Sequence, residues 1–288
     1  MADLDGLEES ASWRLAAPAK LNLWLTVVGR RADGFHELDS LLVLLELADE
    51  LSVAHEGPEL RVGGPAAAGV PVDRTNLAWR GWVEGLAGRT PAGGLSVDKR
   101  VPAAAGLGGG SSDAAAARRL ARWVTGRGDD PPAADELVTL AAFGADIPFF
   151  ASQQAVARVG GIGERVTPDA MAGPAEVILV HPPFGLATGA VFAELRPSEW
   201  SGPTEDVATR PGRNDLAAPA RRLRPELDDI FRLLAGAGGE PHLTGSGPTV
   251  FALTDDPERA AGVASLLERA GLATTHTRLR PEPASIER

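Results

Sequence analysis

A run of glycine and alanine between two predicted elements is the part of this sequence best suited to chemistry. It reads VPAAAGLGGGSSD over residues 101–113, with four glycines in five consecutive positions. Such a loop can bring backbone N–H groups close to a ligand. Apolar residues at helical spacing follow at once, and the free N–H groups and dipole of a helix N-terminus attract anions. We therefore predict a phosphate-binding loop that leads into a helix.

The predicted helix has its own start and stop signals. Ser111 or Ser112 can cap it, Asp113 falls in its first turn, and Gly126 is its predicted stop. The loop is not a P-loop, because no Lys follows the glycines. It is not a dinucleotide fingerprint either, because no acidic residue ends a following strand at the right distance. A flexible Gly/Ala loop ahead of an Ala-rich helix remains the alternative.

Lysine is rare in this chain, which makes each lysine worth attention. Of the 28 basic residues only Lys20 and Lys99 are lysines, and an ammonium group is a compact charge with a pKa that shifts readily. The alternating pattern over residues 19–27 predicts a half-buried strand with Lys20 and Asn22 on its open face. A solvated strand face is the alternative for that pair. Lys99 either adds positive field to the phosphate loop or ends a strand in solvent.

Two further polar residues lie in predicted turns. Asp146 lies in a tight connection just before Ile147-Pro148, where the step into proline favours extended backbone. An Asp in such a place is either a cap or a general base. His36 follows the turn signal Asp33-Gly34, and by itself it is a turn or surface residue.

Composition bounds the class of protein. The chain has 288 residues, of which 44% are hydrophobic and 23% charged, enough for one large or two ordinary globular domains. It contains no Cys, which excludes disulfides, thiolate metal sites and cysteine nucleophiles. A net charge of −11 argues against a general nucleic-acid binder. The acidic start and the short apolar runs predict neither a secretory signal nor a membrane span, so we expect a cytoplasmic location.

Strands and helices alternate along the chain without the strict rhythm of a doubly wound sheet. This pattern predicts an α+β fold of two layered units with a nucleotide between them. We predict a loose tail over residues 1–13, an N-terminal domain over 14–158 and a C-terminal domain over 159–288. An exposed connection is expected over residues 196–212, rich in Pro, Ser and Thr, and a glycine turn at 245–247.

These motifs resemble those of the GHMP kinases, the family of galacto-, homoserine, mevalonate and phosphomevalonate kinases. Residues 102–112 are similar to the second motif of the family, and LTGSG at 243–247 is similar to the third. PAKLNL at 18–23, DGFH at 33–36 and GADIP at 144–148 narrow the resemblance further. They match the members that act on a cytidine-diphosphate-linked methylerythritol in the non-mevalonate route to isoprenoids. The similarity runs in order through roughly residues 14–255.

The resemblance implies the two-domain GHMP kinase fold, with nucleotide and substrate bound in the cleft between the domains. ATP would phosphorylate the 2-hydroxyl of the substrate, with Asp146 taking the hydroxyl proton beside Lys20. Asn22 would contact the substrate diol, His36 would recognise the cytosine edge, and Phe35 would stack on the base where the family usually has Tyr. The ATP phosphates would lie on the loop formed by Pro102, Ala103, Ala104, Ala105, Gly106, Leu107, Gly108, Gly109, Gly110, Ser111 and Ser112.

The implied cofactors are ATP and Mg²⁺. For the metal the sequence offers no clear carboxylate pair, and Ser112 is a candidate ligand. The expected partner is a small-molecule substrate, with neither nucleic acid nor membrane, and the expected assembly is a monomer or homodimer. Two alternatives stay open: another GHMP kinase of the homoserine or mevalonate type, and an inactive GHMP-like nucleotide-binding protein. The set of Lys20, Asn22 and His36 argues against the first, and the pair of Lys20 and Asp146 argues against the second.

Overall fold

The computed structural model of the chain describes residues 13–54, 59–90, 93–170, 175–202 and 212–288. These residues form two sheets with helices packed on them, which agrees with the predicted α+β class. The predicted tail lies outside the described residues except for Trp13, and so do residues 203–211 of the connection predicted over 196–212. None of the helices in the described part combines the length and apolar character needed to cross a bilayer.

Ten strands and eight helices are present in the described ranges. The strands are β1 (Trp13–Arg30), β2 (His36–Ala54), β3 (Leu60–Gly63), β4 (Gly94–Asp98), β5 (Val156–Gly161), β6 (Arg165–Pro168), β7 (Glu176–His181), β8 (His242–Leu243), β9 (Val250–Thr254) and β10 (Ala273–Arg278). The helices are α1 (Leu77–Leu86), α2 (Gly109–Val124), α3 (Ala134–Ala141), α4 (Ile147–Ala151), α5 (Thr188–Glu194), α6 (Ala217–Leu223), α7 (Leu227–Gly236) and α8 (Pro257–Arg269). A 3₁₀ turn follows α5 at Pro197–Glu199.

The larger sheet is organised around the long hairpin of β1 and β2. β1 pairs antiparallel with one edge of β2, and the register shifts at Pro18/Lys20 and at Asn22/Trp24. The other edge of β2 pairs with β5 and β4, and the strand order is β3-β4-β2-β5-β6. The predicted turn at Asp33-Gly34 joins the two hairpin strands. Lys20 and Asn22 therefore lie part-way along β1, a strand at the border of this sheet.

The smaller sheet has the order β10-β7-β9-β8 and packs its apolar side against α5 to α8. The chain passes from the larger to the smaller sheet between β6 and β7. Its C-terminal end returns to the larger sheet, where Glu287 and Arg14 of β1 exchange backbone hydrogen bonds. Arg158, at the predicted domain boundary, lies inside β5 and pairs with Leu41 of β2. The division of the chain at that residue stays a prediction.

Helix α2 is placed by close packing of small residues. Ala114 to Ala117 are all buried, and a Cβ on Gly81 of α1 would overlap the backbone carbonyl of Ala114. The two helices can approach this closely only because Gly81 has no side chain. The start of α2 is thereby fixed against the larger sheet, at the end of the glycine loop.

Two local predictions are wrong. Helix α2 begins at Gly109, and its N-cap is Gly108 at φ 71° with no side-chain hydrogen bond, so neither serine caps it and Asp113 lies beyond the first turn. Ile147 precedes a proline but is helical, because Pro148 occupies the first turn of α4, where a backbone N–H has no helical partner to lose.

Candidate active site

A cleft of about 590 Å³ opens beside the glycine loop. All the predicted phosphate-loop residues line it except Leu107 and Ser112, which are buried at 1% and 2% exposure. Lys20, Asn22 and Ser40 of the hairpin line another wall, and Asp146 faces them from the start of α4. Segments that are distant in the sequence thus meet at one place.

Lys20 is the polar centre of this cleft. Its Nζ donates a hydrogen bond to Asn22 Oδ1 at 2.5 Å and lies 3.9 Å from Asp146 Oδ2. Burial lowers the pKa of Lys20, and the charge of Asp146 opposes that shift. The sequence-predicted pair of Lys20 and Asp146 is therefore adjacent in the structure.

Asn22 holds this lysine within a hydrogen-bonded chain. Its Nδ2 donates to Ser40 Oγ at 2.8 Å, Ser40 Oγ donates to the carbonyl of Trp24 at 2.6 Å, and the backbone N–H of Asn22 donates to Thr244 Oγ1 at 3.1 Å. Lys20 and Asn22 are only 3% and 5% exposed, so the solvated strand face considered above is wrong. Ser40 was missed from the sequence, where it is one polar residue ahead of a leucine-rich run.

Asp146 occupies the N-cap position of α4, yet its carboxylate makes no capping hydrogen bond. The side chain is 37% exposed and lines the cleft beside Lys20. Its carboxylate is thus directed at the cleft rather than at the helix. That placement favours the general-base alternative over the cap alternative.

The shape of the glycine loop depends on two left-handed glycines. Gly106 and Gly108 have φ values of 76° and 71°. A Cβ on Gly106 would lie 2.8 Å from the carbonyl oxygens of Thr244 and Gly247, closer than van der Waals contact permits. The predicted glycine turn at 245–247 thus packs against the phosphate loop.

The loop delivers the N-terminus of α2 to the cleft. No side chain caps this end, and its first turn carries no acidic residue. Gly109, Gly110 and Ser111 line the cleft, so their helix-terminal amide groups lie beside the same space as Lys20. Unsatisfied N–H groups and the positive end of a helix dipole together suit a phosphate.

Both interpretations given above for Lys99, a solvated strand end and a source of positive field at the loop, are wrong. The residue is 3% exposed, and its Nζ donates to Asp49 Oδ2 and, at 2.6 Å, to Asp113 Oδ2. Burial alone would lower the pKa of Lys99, but the ion pairs with Asp113 and Asp49 raise it. Lys99 is neither a solvated strand end nor a source of net positive field, because two carboxylates surround it.

His36 lies beside the cleft within an aromatic cluster. Its ring stacks on Phe192 of α5 with centroids 5.2 Å apart and meets the edge of Trp200 at 5.8 Å. Burial, and then the charge of Arg30, lower the pKa of His36. Phe192 lines the cleft, whereas Phe35 is 60% exposed and is not among its lining residues. Phe192 was missed because helical spacing marked it only as apolar.

The oxygen donors of the cleft decide whether it fits a metal ion. The described residues contain no group of three or more His, Asp or Glu placed to hold a metal. Ser111 lines the cleft, whereas Ser112 is buried and is not among its lining residues. A metal such as Mg²⁺, which is bound mainly through substrate phosphates and water, fits a donor set this small.

Comparison with known proteins decides the family. Residues 76–154 match the family model of the GHMP kinases N-terminal domain. Residues 204–271 match the family model of the C-terminal part of the GHMP kinases. The 4-diphosphocytidyl-2-C-methyl-D-erythritol kinase of Dinoroseobacter shibae is 40% identical over 272 residues, which cover 87% of this chain and 88% of that protein. The chain belongs to the GHMP kinases.

Solved structures agree with this assignment. A crystal structure of 4-(cytidine 5'-diphospho)-2C-methyl-D-erythritol kinase matches this GHMP kinase with a TM-score of 0.76 and 34% identity, over 92% of this chain and 98% of the other. A homoserine kinase from Cytophaga hutchinsonii matches with a TM-score of 0.65 at 14% identity, over 99% and 100% of the two chains. That second likeness is one of fold alone. The predicted family and its two-domain α+β fold are confirmed.

Proposed function

We propose that this GHMP kinase transfers the γ-phosphoryl group of ATP to the 2-hydroxyl of 4-diphosphocytidyl-2-C-methyl-D-erythritol. The relative from Dinoroseobacter shibae and the crystal structure at 34% identity both carry the name of that kinase. The single observation in this chain that supports the reaction is the contact of Lys20 with Asp146 beside an uncapped helix N-terminus. A cation, a carboxylate and an anion-binding turn at one point supply the positioning and charge stabilisation on which phosphoryl transfer depends.

In the proposed reaction, Asp146 accepts the proton of the 2-hydroxyl as its oxygen bonds to the γ-phosphorus. The bond between that phosphorus and the β,γ-bridging oxygen breaks, and ADP leaves with the electron pair. Lys20, beside this carboxylate, holds the hydroxyl in line. The amide groups at the start of α2 stabilise the negative charge on the transferring group.

We propose Mg²⁺ as the metal that accompanies ATP in this cleft. The Ser111 hydroxyl is the protein donor that we assign to it, together with the phosphates and water. When bound, the ion neutralises phosphate charge. Ser111 then has two tasks, because its backbone N–H also belongs to the anion-binding turn.

The acceptor is proposed to lie between the hairpin and α5. Asn22 and Ser40 offer hydrogen bonds to its diol, and His36 with Phe192 offers an aromatic surface to its cytosine. Phe35, exposed at the tip of the hairpin, is proposed to cover the base once it is bound. Both ligands are small soluble molecules, so we propose a cytoplasmic enzyme, active as a monomer or homodimer without nucleic acid or membrane.

The test is ATP turnover with the cytidine-diphosphate-linked acceptor, compared with homoserine and mevalonate. We expect turnover with the first acceptor alone. Asp146→Ala should lower kcat by at least about 10²-fold, as removal of a general base does, while Asp229→Ala on the exposed face of α7 should leave it unchanged. Turnover with homoserine or mevalonate would favour another member of the family. ATP binding without turnover of any acceptor would favour an inactive nucleotide-binding protein.

A further inference from the structure

Asp49 of β2 bonds to the chain where it enters the phosphate loop. Its side chain is fully buried, at 0% exposure. Oδ1 accepts hydrogen bonds from the backbone N–H groups of Arg100 at 2.5 Å and Val101 at 2.8 Å. These two residues immediately precede the loop residues 102–112, so Asp49 fixes the first end of the loop.

The second end of the loop is tied to the same carboxylate through Lys99. The Lys99 ammonium donates to Asp49 Oδ2 and to Asp113 Oδ2 at 2.6 Å, and Asp113 is the residue that follows the loop in α2. All three side chains are at most 5% exposed. One buried network therefore clamps both ends of an eleven-residue segment.

We propose that Asp49, Lys99 and Asp113 are positioning residues that hold the two ends of the phosphate loop in register and thereby set the affinity for ATP. The proposal rests on the proposed function, since it assigns ATP to this loop. Lys99 and Asp113 also line the cleft, but they act through the loop backbone, because the Lys99 ammonium is already bonded to two carboxylates. We call them the loop clamp.

The loop clamp lies directly beneath the amide groups assigned to phosphate. A Cβ on Gly109 would lie 3.0 Å from Val101 Cγ1 and 3.6 Å from Asp49 Oδ2. The first residue of α2 thus rests on Val101 and Asp49 with no space between them. A displacement of either end would move the N–H donors, and a misplacement of about 1 Å can cost about 10²-fold in such sites.

Two variants of Asp113 separate its hydrogen bond from its charge. Asp113→Ala removes the acceptor and leaves Lys99 with Asp49 alone, whereas Asp113→Asn keeps an oxygen in place for the ammonium. We expect the Kd and KM for ATP to rise about tenfold or more in the alanine variant and to stay within about twofold in the asparagine variant. The KM of the acceptor should stay close to the parent value in both variants, whereas kcat at saturating ATP should fall in the alanine variant, because the displaced amide groups also stabilise the transferring phosphoryl group.

The same helix offers a matched control. Arg119 of α2 pairs with Asp129 through two hydrogen bonds of 2.7 Å, and neither residue lines the cleft. Asp129→Ala removes a partly buried ion pair of α2 without touching the loop clamp. It should lower Tm and leave the Kd for ATP unchanged, which separates loss of stability from loss of positioning.

Binding of a non-hydrolysable ATP analogue, measured by calorimetry, needs no acceptor and keeps the two proposals distinguishable. A parent protein that binds no analogue contradicts the proposed function. A parent that binds it, with a folded Asp113→Ala variant that binds equally well, overturns the loop clamp alone. So does an equal rise in the KM of both substrates.

If Asp113→Ala does not fold, Asp49→Asn replaces it. It keeps an oxygen for Arg100 and Val101 and turns an N–H₂ group towards Lys99. The same selective rise in the Kd for ATP is expected, and an unchanged Kd would overturn the proposal.

Discussion

The ammonium of Lys20 lies 3.9 Å from the nearer carboxylate oxygen of Asp146. Lys20 comes from the first strand of the hairpin and Asp146 from the start of a five-residue helix, and the whole phosphate loop lies between them in the sequence. The backbone N–H of Lys20 also donates to the carbonyl of Leu107 at 2.9 Å. The Lys20–Asp146 pair and the phosphate loop therefore belong to one site.

Lys20→Met keeps the volume of the side chain and removes its charge. We expect kcat to fall about 10²- to 10³-fold, as it does when a preorganised donor to the transition state is lost, with a small change in the KM for ATP. Lys20→Arg should restore little activity, because Gly245 leaves no room for the larger guanidinium group. Even a Cβ added to Gly245 would lie only 3.1 Å from Lys20 Nζ. Steady-state kinetics with both substrates checks this, and a parental kcat in the methionine variant would contradict it.

Gly106→Ala places a side chain at φ 76° and 2.8 Å from two carbonyl oxygens. We expect at least about a tenfold loss in ATP affinity, because the loop must move away from Thr244 and Gly247. The left-handed backbone at this position should also cost about 1–3 kcal/mol of stability. Gly126→Ala is the control, since that glycine has φ 71° but nothing within 4 Å of the added Cβ. It should lose stability and keep its affinity for ATP. Analogue binding and thermal unfolding measure both effects.

The buried carboxyl of Asp113 predicts a dependence of stability on pH. Burial raises its pKa to about 7, with Lys99 lowering it and Asp49 raising it, from an ordinary value of 3.8. Between those values the folded protein binds more protons than the unfolded chain, so the contribution of this group to the free energy of unfolding falls as pH rises. Asp113→Asn should remove that part of the slope, as measured by denaturant unfolding at several pH values. The exposed control Asp229→Asn should retain the slope, and an unchanged slope in Asp113→Asn would refute the assignment.

Phe192→Ala removes the ring on which His36 stacks. Aromatic stacking contributes about 0.5–1.5 kcal/mol beyond area burial, so we expect the KM of the cytidine-containing acceptor to rise about three- to tenfold. The KM for ATP should stay unchanged. Val83→Ala on α1, an exposed apolar residue outside the cleft lining, serves as the control. Equal effects on both substrates would place Phe192 outside the acceptor site.

Local patterns were sufficient to predict most elements of the fold. The alternation over residues 19–27 predicted a strand that lies within β1, and the spacing after the glycines predicted α2 with a start three or four residues later than the observed one. Its N-cap was mispredicted because serine is the usual cap, whereas this helix leaves its first amide groups unpaired. That departure from ordinary capping occurs at the site assigned to phosphate.

Partners that are distant in the sequence could not be predicted. Lys99 is neutralised by Asp49, 50 positions earlier, and no periodicity around either residue indicates the pairing. Ser40 and Phe192 carry no local signal that separates them from core residues. The contact of Lys20 with Asp146 was predictable only through the family motifs, since each residue alone has an ordinary structural explanation.

The bare contact between Gly106 and the backbone of Thr244 and Gly247 joins the loop below the larger sheet to the turn ahead of β9 in the smaller one. Two main chains this close leave no room for a Cβ between them. A residue larger than glycine at position 106 would therefore force the two sheets apart at the point where both border the cleft.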